Sequence, residues 1–348
     1  MIHTTPVSSS LLKWEDRFPR ILRLPEQEEE ASWHLADKCC PFACLFHRRT
    51  SPKMRHREAI HLGWLKVLLI AAAVLGVGAV AAERMGTLHW RSQSRKIQEK
   101  LLSARSMAGE TFPFSELERL PPPVKRYLRW ALGEGAPIVH TAHIRHEGTF
   151  RMSGATWVPF QSSQLFTVES PGFVWDARMI AGHVVPIRVR DAYVEGRGSL
   201  CAKLLGLLTV ADSSPDANLD RGELMRYLAE SVWFPTALLP SAGVRWSAID
   251  EYRALAVLRD GETTASLEFR FSPEGAVTEV YSDDRPRTTI GTTADTPWRG
   301  RFSNYQRHNG MMIPLDGEVE WILPDGALPY WRASIVEIRI NEDGAAAP

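Results

Sequence analysis

Residues 62–82 read LGWLKVLLIAAAVLGVGAVAA, an unbroken apolar run of 21 residues in which Lys66 is the only charge. No other stretch narrows so sharply what the chain can become. At a helical rise of about 1.5 Å per residue the run spans about 30 Å, the thickness of a bilayer core. A soluble helix of this length would keep a polar face, and this one has none. Lys66 lies near the N-terminal end, where its stem can snorkel toward the headgroups.

Two readings follow. In one, 62–82 is a retained transmembrane helix. In the other, translation starts at Met54, MRHREAIHLGWLK is a basic n-region, VLLIAAAVLGVGAV an h-region, and Ala79-Val80-Ala81 a cleavage site. The run is long for an h-region, which favours the anchor. Both readings carry the C-terminal body across the membrane. Arg48, Arg49, Lys53, Arg55 and Arg57 precede the run, and Arg84, Arg91, Arg95 and Lys96 follow it. The slight excess in front predicts a cytoplasmic N-terminus. The expected location is therefore a single pass in the cytoplasmic (inner) membrane, with the C-terminal domain extracytoplasmic.

The first 53 residues carry EQEEE, scattered prolines and no sustained period, and read as a disordered extension, or as sequence ahead of the true start at Met54. His34, Cys39, Cys40, Cys44 and His47 crowd this segment without a standard zinc spacing, so no metal site is expected. Cys201 is the lone cysteine of the body and leaves it without an internal disulfide. Lysine plus arginine and aspartate plus glutamate balance at 41 each, which removes any whole-chain attraction to polyanions. No nucleic-acid partner is expected.

Residues 83–135 read as a juxtamembrane helical linker. Ser115 and Glu118 form a capping box, prolines at 121–123 interrupt, and Val124, Tyr127, Leu128 and Ala131 make an apolar stripe at helical spacing. From 136 to 341 the pattern changes to strands rich in β-branched and aromatic residues, separated by Gly, Pro or Asp. Asp260-Gly261 marks a hairpin between EYRALAVLRD and GETTASLEFRF. There, Leu267, Phe269 and Phe271 share one face, with Glu268 and Arg270 on the wet one. CAKLLGLL reads as helical. The predicted fold is mainly β (α+β): about ten to eleven strands in a large curved antiparallel sheet or half-open β-barrel, with a few accessory helices and one transmembrane helix in front.

The stretch FSNYQRHNGMMIPLDGEVEWILPDGALPYWRASIVEIRIN resembles the C-terminal half of the LolA/LolB-like lipoprotein-carrier half-barrels, through its aromatic strand, Asn309-Gly310, Ile313-Pro314 and a last strand ending near Asn341. A wider run, with PPPVKRYL, GFVWDAR, VRDAYVEGRG and PYWR, is similar to an uncharacterised bacterial family of membrane-anchored proteins. The resemblance implies an incomplete barrel with an apolar concave face, helices as a lid, and a lipid or lipoprotein ligand. It implies no chemistry.

Candidate ligand-binding residues come from two places. On GFVWDAR and IRVRDAYVEG, Asp176 and Arg178 share a face, as do Arg188 and Arg190, while Asp191 and Tyr193 have the opposite parity. With Trp175 these form either cross-strand ion pairs or a polar rim for an amphiphile's headgroup, for which arginine is suited. Just before GELMRYLAESVWFPTALLPS, Asp220 caps a predicted helix on which Glu223, Arg226 and Glu230 make one charged stripe. The plain reading is a solvated face. The sharper one is a lid burying Trp233, Phe234, Leu238 and Leu239 over a cavity, and a hollow sheet would favour ligand binding where a filled one favours a scaffold.

An envelope hydrolase would use Asp176, Asp191, Glu223 or Glu230 as paired carboxylates. His140, His143 and His146 alternate on a strand and match no H-E-x-x-H pattern. No nucleotide loop or serine elbow is present, and no cofactor is expected.

Overall fold

A computed structural model of the chain describes residues 52–103 and 113–342, apart from 134, 183–184, 214 and 290–291. The expected extension 1–53 lies outside these residues but for positions 52 and 53, as does the cysteine–histidine cluster. Helix α1 (Pro52–Ser103) runs through the apolar segment and beyond it. From Trp64 it contains a stretch long and apolar enough to cross a membrane, of mean hydropathy 2.4, none of which is buried among the described residues. Close packing divides the chain between Met85 and Gly86.

The body is one antiparallel sheet of thirteen strands among the described residues. Its first half is a meander of β1 (Thr141–Ser153), β2 (Thr156–Thr167), β3 (Gly172–Ala181), β4 (Val185–Val194), β5 (Arg197–Leu204) and β6 (Leu208–Ser213). Helix α3 (Ala217–Glu230) follows, with 3₁₀ turns at Ser231–Trp233, Pro235–Leu238 and Pro240–Ala242. The second meander begins with β7 (Arg245–Ala248), β8 (Arg253–Asp260), β9 (Thr263–Phe271) and β10 (Val277–Thr289). It ends with β11 (Thr292–His308), β12 (Met311–Leu323) and β13 (Gly326–Ile340).

The first strand pairs with the last, so the two meanders join at the middle of the sheet through β1 and β13. This leaves β6 and β7 as the free edges, and they are the two strands flanking α3 in sequence. The connection that carries α3 must therefore cross from one edge to the other, over the mouth of the curled sheet. The curl brings strands far apart in the sheet order together: the Tyr193 hydroxyl on β4 donates to Asp260 Oδ2 on β8 at 2.9 Å. The half-barrel is thus the predicted fold class, with more strands than the sequence pattern separates.

Alternation explains the two faces. On β9, Leu267, Phe269 and Phe271 are buried, while Glu268 and Arg270 face out and pair. Arg299 and Arg301 extend that outer ladder to Glu318 and Glu320, as cross-strand pairing of opposite charges favours. Turns sit where the sequence demands them. Gly261 has φ +57° between β8 and β9, and Asn309-Gly310 has φ +49° and +81° between β11 and β12, the mirror-image turn that suits a twisted hairpin.

The apolar face of α2 (Pro122–Ala131) is the predicted one, with Val124, Tyr127, Leu128 and Ala131 all buried in the core. Ser115 and Glu118 do not make a capping box. Residues Phe114–Arg119 form a 3₁₀ turn without a side-chain cap, and Glu118 instead pairs with Lys125 and Arg129. CAKLLGLL is not helical. Its first half is β5, and Leu204 pairs with Leu208 across a tight turn into β6.

Candidate functional site

The nine candidate residues divide between the two faces of the sheet, as their parity requires. Trp175, Asp191 and Tyr193 point into the concave interior, where Trp233 and Phe234 meet them from the connection after α3. Asp176, Arg178, Arg188 and Arg190 lie on the outer face, with Asp176 opposite Arg190 and Arg178 opposite Arg188. No single pocket gathers all nine.

The outer group is covered by the second part of α1. Gly86, Trp90, Ser94, Gln98 and Leu101 form the buried stripe of that helix. Trp90 Nε1 lies 2.8 Å from both carboxylate oxygens of Asp176 and donates to them, and the Ser94 hydroxyl donates to the same carboxylate. The Arg190 guanidinium stacks over the Trp90 ring at 4.5 Å and donates to Ser94 Oγ and Gln93 Oε1. Arg188 Nη2 donates to Thr87 Oγ1 at 3.0 Å. Lower on the helix, Leu101 packs with Leu165, Val174 and Ala192. Burial pushes the Asp176 carboxyl up, and the donors from Ser94 and Trp90 and the charge of Arg190 pull the other way. Asp176, Arg188 and Arg190 therefore hold a helix against the sheet. Arg178 remains exposed.

The inner group centres on α3. Asp216, not Asp220, caps this helix, accepting from the amides of Asn218 and Leu219. Asp220 is buried instead, and accepts from the Gly198 amide on β5 at 2.7 Å. Glu223, Leu224, Met225, Tyr227, Leu228 and Ala229 are all buried, so α3 is enclosed on nearly every side. The charged stripe is not solvated: it faces inward. Arg226 Nη1 donates to Asp191 Oδ2 at 2.7 Å and Arg226 Nε to Glu230 Oε1 at 2.8 Å. Its guanidinium lies 4.9 Å from the Phe173 ring and 5.1 Å from the Trp175 ring. Gln164 on β2 donates to the other Glu230 oxygen at 2.8 Å.

Arg285 on β10, which sequence reasoning missed, supplies a second buried cation. It donates to the Gly222 carbonyl and to the Tyr330 hydroxyl, each at 3.2 Å, and lies 4.6 Å from the Trp298 ring. Three carboxylates thus share two arginines. Burial, then the Asp191 charge, pushes Glu223 up to about 8, so it holds a proton at neutral pH. With Glu223 neutral, Asp191 and Glu230 balance Arg226 and Arg285.

Beside this cluster, His146 on β1 is buried with its ring 4.9 Å from Trp233 and 5.9 Å from Trp331. Burial, helped by the Arg226 charge, pushes it down to about 3 and keeps it neutral. Several buried polar atoms here have no partner among the described residues: Asp191 Oδ1, Glu223 Oε2, Trp175 Nε1, Trp233 Nε1 and His146 Nε2. The described residues hold no group of acidic, histidine or cysteine side chains arranged for a metal.

The interior is occupied by the protein's own side chains. Trp233, Phe234, Leu238 and Leu239 are all buried on the concave face, with the Phe234 ring tilted 4.6 Å from that of Phe166 and Trp233 against Trp331 and Phe302. Few polar bonds tie this segment down. The Val139 amide donates to Thr236 Oγ1 at 2.9 Å, Trp246 Nε1 donates to the Leu238 carbonyl at 2.8 Å, and Ser241 donates to Glu116.

Comparison with known proteins adds a family. Residues 110–333 match the model of DUF6544, a family of unknown function. A search of curated proteins found no match. Among solved structures, the chain is similar to a LolA superfamily protein from Nitrosomonas europaea, with 8% identity, a TM-score of 0.36, and coverage of 64% of this chain and 93% of that one. It is also similar to a β-barrel-like DUF1849 protein from Brucella abortus, with 8% identity, a TM-score of 0.20, and coverage of 58% and 98%.

Proposed function

We propose, for a chain that belongs to the DUF6544 family of unknown function, that the half-barrel binds the acyl chain of a lipid or lipidated partner by exchanging it for the lid of residues 231–242. The protein is held in the cytoplasmic membrane by residues 62–82, with the half-barrel on the extracytoplasmic side.

One observation carries this reading. The aromatic concave face is closed by the connection that carries α3, together with α2, and not by a second sheet. Magnitudes support the exchange. Withdrawing Trp233, Phe234, Leu238 and Leu239 costs about 6–12 kcal/mol in exposed apolar surface. A chain of about fifteen methylenes entering the same groove returns about 12 kcal/mol, and one of half that length only about 6. Long acyl chains can therefore compete with the lid and short ones cannot. At the polar end, Arg226 and Arg285 suit a phosphate or carboxylate headgroup, and neutral Glu223 adds an O–H donor.

The filled interior favours a second reading, a scaffold that never opens. Photoactivatable fatty acids of long and short chain, incubated with the full-length protein in nanodiscs, separate the two. Exchange predicts crosslinks from the long probe to peptides bearing Trp175, Trp233 or Phe160, and none from the short one. Crosslinks confined to residues 62–82 would refute exchange and leave the scaffold. A hydrolase using Asp191, Glu223 and Glu230 would need the same opening, and Asp176 lies on the other face of the sheet from them.

A further inference from the structure

The turn between β5 and β6 reads LLGLL, residues 204–208. A tight turn in water is normally built from Gly, Asn, Asp, Pro or Ser. Here leucine occupies every place but one, and Leu205 takes φ +55° beside Gly206 at φ +70°, a left-handed backbone that branched side chains adopt at a cost. Leu207 and Leu208 point outward, 41% and 62% exposed. Among the described residues, none buries either side chain.

Their position tells what does. The turn packs on α1 at Gly86: a Cβ there would stand 2.9 Å from Leu207 Cγ, and one on Gly206 would stand 2.8 Å from the Gly86 carbonyl carbon. Only glycine at both places permits the approach. Gly86 comes four residues after Ala82, the last residue of the apolar run, and α1 is continuous through both. Four residues of helix rise about 6 Å, which is about the depth of one headgroup layer. Exposed Ile180, near the end of β3, lies on the same rim of the sheet, since β3 and β4 turn around at the end where β5 meets β6. Leu88 of α1 is exposed one turn of helix or less from Gly86.

We infer that residues 204–208 form a second membrane contact, inserting Leu207 and Leu208 into the headgroup layer of the bilayer that residues 62–82 cross. The inference rests on the reading of 62–82 as a membrane span. A leucine turn beside an anchor helix converts one attachment into two. The turn and α1 contact each other through Gly86 and Gly206.

The test uses the full-length chain with its four cysteines replaced by serine, reconstituted in vesicles of phosphatidylethanolamine and phosphatidylglycerol. A single environment-sensitive fluorophore is placed by Leu208→Cys, by Val77→Cys within the apolar run, or by Ser170→Cys in the turn between β2 and β3 at the opposite rim. Nitroxide lipids quench from near the headgroup or from deep in the tail. The expected result is a blue shift and loss of intensity at position 208 with the shallow nitroxide, deeper quenching at 77, and neither change at 170. Quenching at 77 without any at 208 overturns the inference and leaves the anchor standing. No quenching at 77 overturns the membrane span and the inference with it. Equal quenching at 170 and 208 overturns the inference by showing contact unrelated to the leucine turn. Leu208 is exposed, so replacing it leaves the fold intact.

Discussion

Replacing Glu223 by glutamine tests the charge balance of the interior cluster. Glu223 faces Asp191 on β4, Arg226 and Glu230 on its own helix, and Arg285 on β10. Its folded value of about 8 lies above the unfolded one near 4.5. The folded state therefore binds the proton more tightly. The stability this provides is present at low pH and is lost as pH rises from the unfolded value through about 8. His146 works in the other sense. Its folded value near 3 lies below the unfolded 6.5, so its contribution is present above 6.5 and is lost as pH falls. Between 4.5 and 6.5 the two slopes oppose each other; above 6.5 the Glu223 slope remains, and burial raises Asp191, Glu230 and Asp176 in the same sense.

From pH 6.5 to 8.5 the wild type should lose about 2 kcal/mol, taking 1.36 kcal/mol for each unit of proton linkage over most of that interval. For a body of this size that is a fall in Tm of about 4–8 °C. Glu223→Gln keeps the shape of the protonated acid and cannot ionise. It should match the wild type at pH 6.5 within about 1 kcal/mol and stay nearly flat to pH 8.5. Tryptophan fluorescence of the detergent-solubilised full chain during thermal unfolding reads both profiles. Parallel profiles for the two proteins would refute the assignment of the proton to Glu223. A collapse of the variant at pH 6.5 would refute its neutrality.

Other positions give sharper yes-or-no outcomes. Trp90→Ala removes both hydrogen bonds to Asp176 and the stack under Arg190, and should cost about 3–5 kcal/mol while exposing residues 86–103 to limited proteolysis. Arg226→Met leaves Asp191 and Glu230 buried without their shared cation, and should cost about 3–5 kcal/mol in urea unfolding. Arg178→Ala, at an exposed position on the same strand as Asp176, should change stability by no more than about 0.5 kcal/mol. Gly206→Val puts a branched side chain at φ +70° and into Gly86, and should lower the Tm while Leu208→Ser, at an exposed position, leaves it unchanged.

Parity is what the sequence showed well. A strand alternates without exception unless it bulges, so the separation of Asp176, Arg178, Arg188 and Arg190 from Asp191 and Tyr193 could be read from spacing alone. What covers each face could not. The spacing of Glu223, Arg226 and Glu230 is the same on a solvated helix as on a buried one. The difference is made by Asp191, 35 residues away, and by Arg285 further along the chain. The leucines of 201–208 read as helix because apolar runs without polar alternation suit either state. Only the pairing of Leu204 with Leu208 decides it.

The docked half of α1 read only as a juxtamembrane helical linker. Gly86, Trp90, Ser94, Gln98 and Leu101 recur at intervals of four, four, four and three, the spacing of one helix face. The face was hidden by its chemistry: three of its five positions, Gly86, Ser94 and Gln98, add no apolar side chain. The first two are needed for other reasons. Gly86 lets a leucine turn approach, and Ser94 donates to the carboxylate that Trp90 also serves. The same feature governs both sides of the sheet. Arg190 and Asp191 are adjacent in sequence and point to opposite faces, one under the second part of α1 and the other under α3. A strand so loaded links the helix that continues from the apolar segment to the helix that closes the half-barrel mouth through a single peptide unit. Any movement of α3 away from Asp191 must be borne by the β4 backbone that holds Arg190 against Trp90, so α3 and residues 86–103 of α1 are mechanically joined at that point.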